Sequence, residues 1–320
     1  MRRVLGLTLT GLGAFFIVLA ALLRFYLPGQ VIKFPLNEYL VTTLAGHDVS
    51  YFSAKQVREL TGVTAKATST IEGDVSAGSS STAVWNNFTA VEDMTNNAPI
   101  EYTSQRSAFD RRTGVLVNCC GAYIGTNPRV HQSGQGYVWP IGTQQQTYQV
   151  FNITLLRPEP FRYEGTGTVN GMTAYKFVEH VVNQQFSTQT VPGSLAGFRG
   201  QPTVTLPEYL TETKTYWVDP VTGSPLNVTE NQTLSLKDIT GTTKLVLFQG
   251  HLAATPQTVA SAVSTAHSAH LKINLIEDIG PLVFVLLGVV LLTVGITLTV
   301  RHPDREEFEY ESDEPVGSTT

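Results

Sequence analysis

The run VLGLTLTGLGAFFIVLAALL at residues 4–23 and the run IGPLVFVLLGVVLLTVGITLTV at residues 279–300 decide how this chain is read. At about 1.5 Å of rise per residue, each can cross a hydrocarbon core of roughly 30 Å, and neither contains a charge. A signal peptide would have a shorter apolar run, about 7–15 residues, ending at a small-x-small site. Here the first run passes directly into Arg24-Phe25-Tyr26-Leu27-Pro28. It therefore reads as an uncleaved anchor, with Arg24 and Tyr26 at the interface, where long basic and aromatic side chains are favoured.

Orientation follows from the flanks of the second run. Lys272, Glu277 and Asp278 precede it, and Arg301, His302 and Arg305 follow it, so the positive-inside bias puts the C-terminus in the cytoplasm. Two spans then put the N-terminus there as well. The expected organisation is a cytoplasmic N-terminus at residues 1–3, a transmembrane helix at 4–24 and an extracytoplasmic β-rich domain at 25–254. A membrane-proximal helix at 255–278, a transmembrane helix at 279–300 and an acidic, disordered cytoplasmic tail at 301–320 complete it. The location implied is the plasma membrane.

Charge separates the tail from the rest. The chain has 21 basic and 26 acidic residues, and residues 301–320 hold 2 and 7 of them, leaving 19 of each sign elsewhere. A neutral outer domain gives no support for nucleic-acid binding. The tail has one dominant sign and few apolar residues, the composition of a disordered segment.

The central segment is threonine-rich, with few stretches of helical period. Residues 63–71 alternate small apolar and polar positions as a half-buried strand does, and a Gly/Ser/Thr cluster at 76–82 reads as a loop. Three hairpins are expected. One turns at Asp110–Gly114. One turns at Asn170-Gly171, where a type I′ turn needs positive φ twice. One turns at Asp219-Pro220 with Gly223 in the left-handed position. The first and third share the spacing D-x-x-T-G-x-x-x-N, compatible with an internal repeat or with two independently good turns. Near the end, Thr255 can cap and Pro256 can open a helix with Val259, Val263, Ala266, His270 and Ile273 on one stripe, running with a kink at Pro281 into the second span. The fold class expected is mainly β: an antiparallel β-rich domain, a curved or barrel-like sheet with room for two similar halves, between two transmembrane helices.

Motifs for chemistry are scarce. G-x-S-x-G, H-E-x-x-H and a Walker A loop are lacking, and Gly165-Thr-Gly167 sits in a hairpin where a dinucleotide loop would open a helix. His267, His270 and His251 fall short of a metal site. No catalytic, cofactor-binding or metal residue is assigned, and no enzyme is expected. Cys119 and Cys120, the two cysteines of the chain, are adjacent. Neighbouring Cα atoms stand near 3.8 Å, below the 4.4–6.8 Å of an unstrained disulfide, so a vicinal disulfide requires distortion; free or intermolecular thiols and, last, a catalytic redox role are the alternatives. Four N-x-T tripeptides, at Asn87, Asn152, Asn227 and Asn231, weakly favour solvent-exposed strands and turns.

Several segments taken together resemble the actinobacterial membrane proteins of the porin PorA family. They are the anchor followed by Phe25-Tyr-Leu-Pro28, Asp110-Arg-Arg-Thr-Gly114, Gly136-Tyr-Val-Trp-Pro-Ile-Gly-Thr143, Tyr163-Glu-Gly-Thr-Gly167 with Asn170-Gly171, Trp217-Val-Asp-Pro220, and the C-terminal span. The resemblance covers nearly the whole chain and implies a two-span cell-envelope protein, with no catalytic residue or cofactor to carry over. A membrane β-barrel would need an outward apolar belt, and the central segment is too polar on both strand faces to form one. The function expected is binding or presenting an envelope lipid or glycolipid, or scaffolding envelope proteins, with homo-oligomers among the partners. The alternative is a pore formed by oligomerisation, and an envelope enzyme ranks third.

Overall fold

The structure, a computed structural model, describes residues 2–300. The acidic tail expected at 301–320 lies outside the described residues. The helices are α1 (Arg2–Phe25), α2 (Leu27–Val31), α3 (Pro256–Asn274) and α4 (Gly280–Val300), with a π-helical turn at Leu275–Ile279 before α4. The strands are β1 (Tyr39–Ser53), β2 (Arg58–Gly73), β3 (Thr82–Asp93), β4 (Ala98–Asp110), β5 (Leu116–Val117) and β6 (Tyr123–Ile124). After a long loop come β7 (Tyr148–Asn152), β8 (Arg157–Val169), β9 (Met172–Pro192), β10 (Thr203–Val218), β11 (Pro225–Lys237) and β12 (Thr243–Ala254). Two compact units result among the described residues: a helical one, formed by residues 2–31 and 273–300, and a β unit, Ile32–Lys272.

In the helical unit, α1 and α4 run antiparallel along stripes of small residues seven apart. Gly6, Gly13 and Ala20 are the buried positions of α1, and Pro281, Gly288 and Gly295 those of α4. The backbones approach so closely that a Cβ at Gly13 would stand 2.7 Å from Gly288 O, and one at Gly295 2.6 Å from Thr10 N. Lipid tails are as apolar as leucine, so helices in a bilayer associate through this kind of close contact rather than through hydrophobic burial. The outward residues, among them Leu5, Leu12, Phe15, Val18, Leu282, Leu286 and Val290, are large and exposed. The α1 helix and the helical run Pro256–Val300 are each long and apolar enough to cross a membrane.

Just before Pro281, where a kink is expected, the helix carries a widened turn. Proline has no N–H, so the Glu277 carbonyl loses its α-helical donor. Gly280 N–H instead reaches back five residues to Leu275 O, opening the π turn. The orphaned Glu277 carbonyl accepts from Arg24 Nη1 at 2.6 Å, and the same nitrogen meets Asp278 Oδ1 at 2.8 Å. Arg24 thus compensates, on the facing helix, for a bond that proline removes.

The β unit is a curled antiparallel half-barrel with neighbour order β5-β4-β3-β2-β1-β12-β11-β10-β9-β8-β7. This order is a tandem. Strands β7 to β11 repeat the neighbour sequence of β1 to β5 in the same sense, and β12 joins the halves by pairing with both β1 and β11. The two D-x-x-T-G turns fall at equivalent places, after β4 and after β10, which favours the repeat over coincidence. The β1–β2 and β7–β8 turns also match: Val57 (φ 55°) before Arg58, and Leu156 (φ 54°) before Arg157.

At one rim the two edges of the sheet are stitched by a single residue. Gln135 N–H donates to Gln149 O and its carbonyl accepts from Phe151 N–H, while Gly134 O and Gly136 N–H bond to Leu116 N–H and Gly114 O. Gln135 therefore pairs with Val115 on one side and Val150 on the other. The chain then continues inward, and Tyr137, Val138, Trp139 and Ile141 fill the concave side. Trp85, Phe109 and Leu116 meet this strap in one cluster; Phe161, Phe177 and Val218 meet it in another.

Candidate functional site

The two D-x-x-T-G turns hold the strap. In the first, Asp110 Oδ1 accepts from the backbone N–H groups of Arg112 and Thr113 and from the Thr113 hydroxyl. In the second, Asp219 does the same for Val221 and Thr222. The strap bonds to both: Ile141 N–H to Arg112 O, Trp139 N–H to Gly223 O and Gly142 N–H to Val221 O. Gly114 and Gly223 have φ of 70° and 72°, and a Cβ there would stand 2.5 Å from Val138 O and 2.2 Å from Trp139 O. Glycine is required twice over, for the left-handed backbone and for the close approach. Pro220 presets φ behind Asp219, whose Oδ1 also meets His270 Nε2 of α3 at 2.9 Å. Asn170 and Gly171, at φ 45° and 85°, close the tight β8–β9 hairpin between Val169 and Met172.

Beneath the strap, cross-strand register builds a cluster of ionisable side chains that sequence spacing does not reveal. Glu179 on β9 and Glu230 on β11 both lie opposite Lys214 on β10, and Glu212 stands two residues along on the same face. Lys214 Nζ is 2.8 Å from Glu212 Oε1 and 3.3 Å from Glu230 Oε2. Asn152, at the end of β7, donates from one amide nitrogen to Glu179 Oε1 at 3.0 Å and Glu212 Oε2 at 2.9 Å. Glu179 Oε2 has no partner.

Three carboxylates around one ammonium cannot all ionise cheaply in a site where Glu179 and Glu212 are 1% exposed. Burial is the largest influence on Glu179 and pushes its carboxyl to about 7; Lys214 opposes and Glu212 adds to the rise. Burial likewise pushes Glu230 to about 7 against the pull of Lys214. Glu212 also feels burial, but Lys214 and its hydrogen bonds outweigh it and hold it below the usual carboxylate range. The cluster therefore retains a proton near neutrality, shared between sites that titrate together. Nearby, burial pushes the Tyr216 hydroxyl up to about 12. Lys214 occupies the centre that a cation would need, and among the described residues no group of three or more His, Cys, Asp and Glu side chains is arranged to hold a metal. His267 and His251 are exposed, and His270 serves the Asp219 contact.

Cys119 and Cys120 are joined in a vicinal disulfide on the loop between β5 and β6, both exposed, with Cys120 at φ 62°. Arg106 Nε donates to Cys120 O, and Arg106 is in turn paired with Asp74 at 2.8 Å. Of the four N-x-T asparagines, Asn152 corrects the reading of solvent exposure: it is 6% exposed, caps the β7–β8 turn through Oδ1 and belongs to the buried cluster. Its tripeptide arises because a turn-capping asparagine is followed two residues later by a threonine of the same turn.

The family model described as Porin PorA matches residues 5–297 of the chain. No curated protein matches it.

Proposed function

The chain belongs to the porin PorA family of membrane proteins, and on that premise we propose that it is a non-enzymatic binding module of the cell envelope. In this reading the helix pair anchors the chain in the plasma membrane with both termini cytoplasmic, and the β unit works outside. The ligand is an envelope glycolipid or another envelope protein, engaged by the exterior of the sheet. The filled concave side counts against a lipid held among the strands, which would need an apolar cavity there, and leaves the exterior of the sheet as the surface for a ligand. On the concave side Trp139, Phe109, Phe161 and Phe177 are each at most 2% exposed, and beside them Lys214 is paired with Glu212 and Glu230. A catalytic site needs convergent groups open to a substrate, and Glu179 and Glu212 have no such access. Native mass spectrometry of the detergent-extracted chain tests the reading. A retained glycolipid or a stoichiometric envelope protein is expected, and a bare polypeptide in mild detergent would overturn it.

The family's description favours a second reading, a pore. The packed α1–α4 pair leaves no lumen within one chain, so a pore would require several chains. Ion flux in planar bilayers at defined protein density would support that reading, and silence would remove it.

A further inference from the structure

The face of β1–β4 opposite the aromatic core is a regular grid. Register places Tyr39, Glu72, Asn86 and Arg106 in one cross-strand row. The next row is Val41, Thr70, Phe88 and Ser104, and the third is Thr43, Thr68, Ala90 and Tyr102. Opposite residues of antiparallel strands point to the same side, so these twelve share one surface, about 14 Å across three inter-strand spacings. Its large side chains are open to solvent: Tyr39 is 69%, Phe88 50% and Tyr102 58% exposed. Phe88 and Tyr102 stack on each other with centroids 5.9 Å apart and planes 18° from parallel. The three rings thus form a diagonal across the grid.

Singly exposed aromatics need no explanation, but three on one face, two of them mutually aligned, do. The side chains between the rings are short neutral hydrogen-bonding groups: Thr68, Thr70, Asn86 and Ser104. Glu72 is the exposed carboxylate among them. Of the cations on this side of the sheet, Arg106 is committed to Asp74, Asn86 and the Cys120 carbonyl, and Lys66, in the adjoining row, pairs with Glu92 at 3.7 Å. The face therefore has no free positive charge for a phosphate or an anionic headgroup. Its apolar surface is broken by polar groups, unlike the apolar core of a stable protein interface. Flat apolar faces bordered by hydroxyl- and amide-bearing side chains match a pyranose, whose C–H face is apolar and whose rim is hydroxyl. The ring faces carry negative quadrupole density, which favours C–H groups placed over them.

We propose that the outer face of β1–β4 is a platform for a neutral glycan, with Tyr39, Phe88 and Tyr102 stacking on sugar rings and Thr70, Glu72 and Asn86 taking their hydroxyls. This rests on the binding reading above and names its ligand chemistry. The test is calorimetric titration of the detergent-solubilised full chain with neutral linear oligosaccharides of glucose, mannose, galactose and arabinose. Saturable binding of at least one is expected. Phe88→Ala and Tyr102→Ala should each weaken it by roughly twofold to tenfold. Tyr102→Phe should bind as wild type, and so should Val182→Thr, a control on β9 away from the grid.

Silence of the whole panel, or binding indifferent to both alanine variants, overturns the platform. Sedimentation of the same samples distinguishes a protein occupant: self-association lost in Phe88→Ala would assign the face to a second copy and overturn the glycan. A silent panel with a glycolipid still retained in native mass spectrometry removes the platform alone, whereas silence in both removes the binding reading as well.

Discussion

Replacing Lys214 by methionine keeps the length and the apolar stem but removes the ammonium at the centre of the buried cluster. The gross attraction lost is about 6 kcal/mol to Glu212 and about 5 kcal/mol to Glu230, taking an effective dielectric near 20 at the observed 2.8 and 3.3 Å. Much of this is offset because the ammonium no longer has to be desolvated. Breaking one side of a buried pair nets a loss of roughly 3–5 kcal/mol. Lys214 retains 20% of its side-chain surface, so about 3 kcal/mol is the value expected at pH 8. For a unit of this size that is a fall in Tm of roughly 6–12 °C. At pH 5 the carboxyls of Glu179 and Glu230 are already protonated, and Glu212 can neutralise itself once its cation is gone. The loss should then shrink below about 1 kcal/mol. Denaturant unfolding followed by near-UV circular dichroism, dominated by the buried Trp139 and Trp85, reads both values. Equal stability of variant and wild type at pH 8, or the same loss at both pH values, would show that the cluster is not held by Lys214.

In the wild type, Glu179 and Glu230 have folded pKa values of about 7 against an ordinary 4.5, so the folded state binds more protons between those limits. Their contribution to stability falls as pH rises from about 4.5 to 7 and is flat above. Glu179→Gln should make unfolding free energies less steep over that window, and an unchanged slope would refute the assignment. Gly223→Ala meets Trp139 O at 2.2 Å as well as a left-handed backbone, and should cost more than about 2 kcal/mol. Gly171→Ala meets open space and should cost about 1 kcal/mol, so equal losses in the two thermal melts would contradict the strap geometry. Gly13→Val places a side chain against Gly288 O. It should abolish oxidative cross-linking between engineered Phe16→Cys and Phe284→Cys, whose rings stack across the native pair with centroids 5.6 Å apart. His270→Ala should raise hydrogen exchange in α3 while leaving that of β3 unchanged.

Much of the scaffold was legible because its signals are local. Asn170-Gly171 and the two D-x-x-T-G turns specify their own backbone, and Thr255-Pro256 opens α3 through a hydroxyl cap, with Thr258 N–H donating to Thr255 Oγ1. The buried cluster was not legible. Asn152, Glu179, Lys214 and Glu230 lie on four strands, and only register brings them together. The Gln135 stitch escapes sequence reading for the same reason, since one residue bridging two edges has no periodicity. The close helix pair was available in the sequence as small residues at 6, 13 and 20 facing 288 and 295, a spacing hidden within runs that read simply as apolar. The π turn at Leu275–Ile279 follows from Pro281, but the Arg24 donor that satisfies the freed Glu277 carbonyl comes from more than two hundred residues away and leaves no local signal.

The tandem order of the sheet has a consequence for how such a unit comes to be stable. Two five-stranded halves meeting as separate molecules would have to find each other at cellular concentration, with the strap served by only one of them. Joined in one polypeptide, each half sees the other at an effective concentration on the order of millimolar, set by the linker. That linker is the segment carrying Tyr137 and Trp139, so the tether is also the filling of the concave side. Cutting the chain there would remove this tether and loosen the filling of the shared core in a single step, leaving the α1–α4 pair as the remaining connection between the halves.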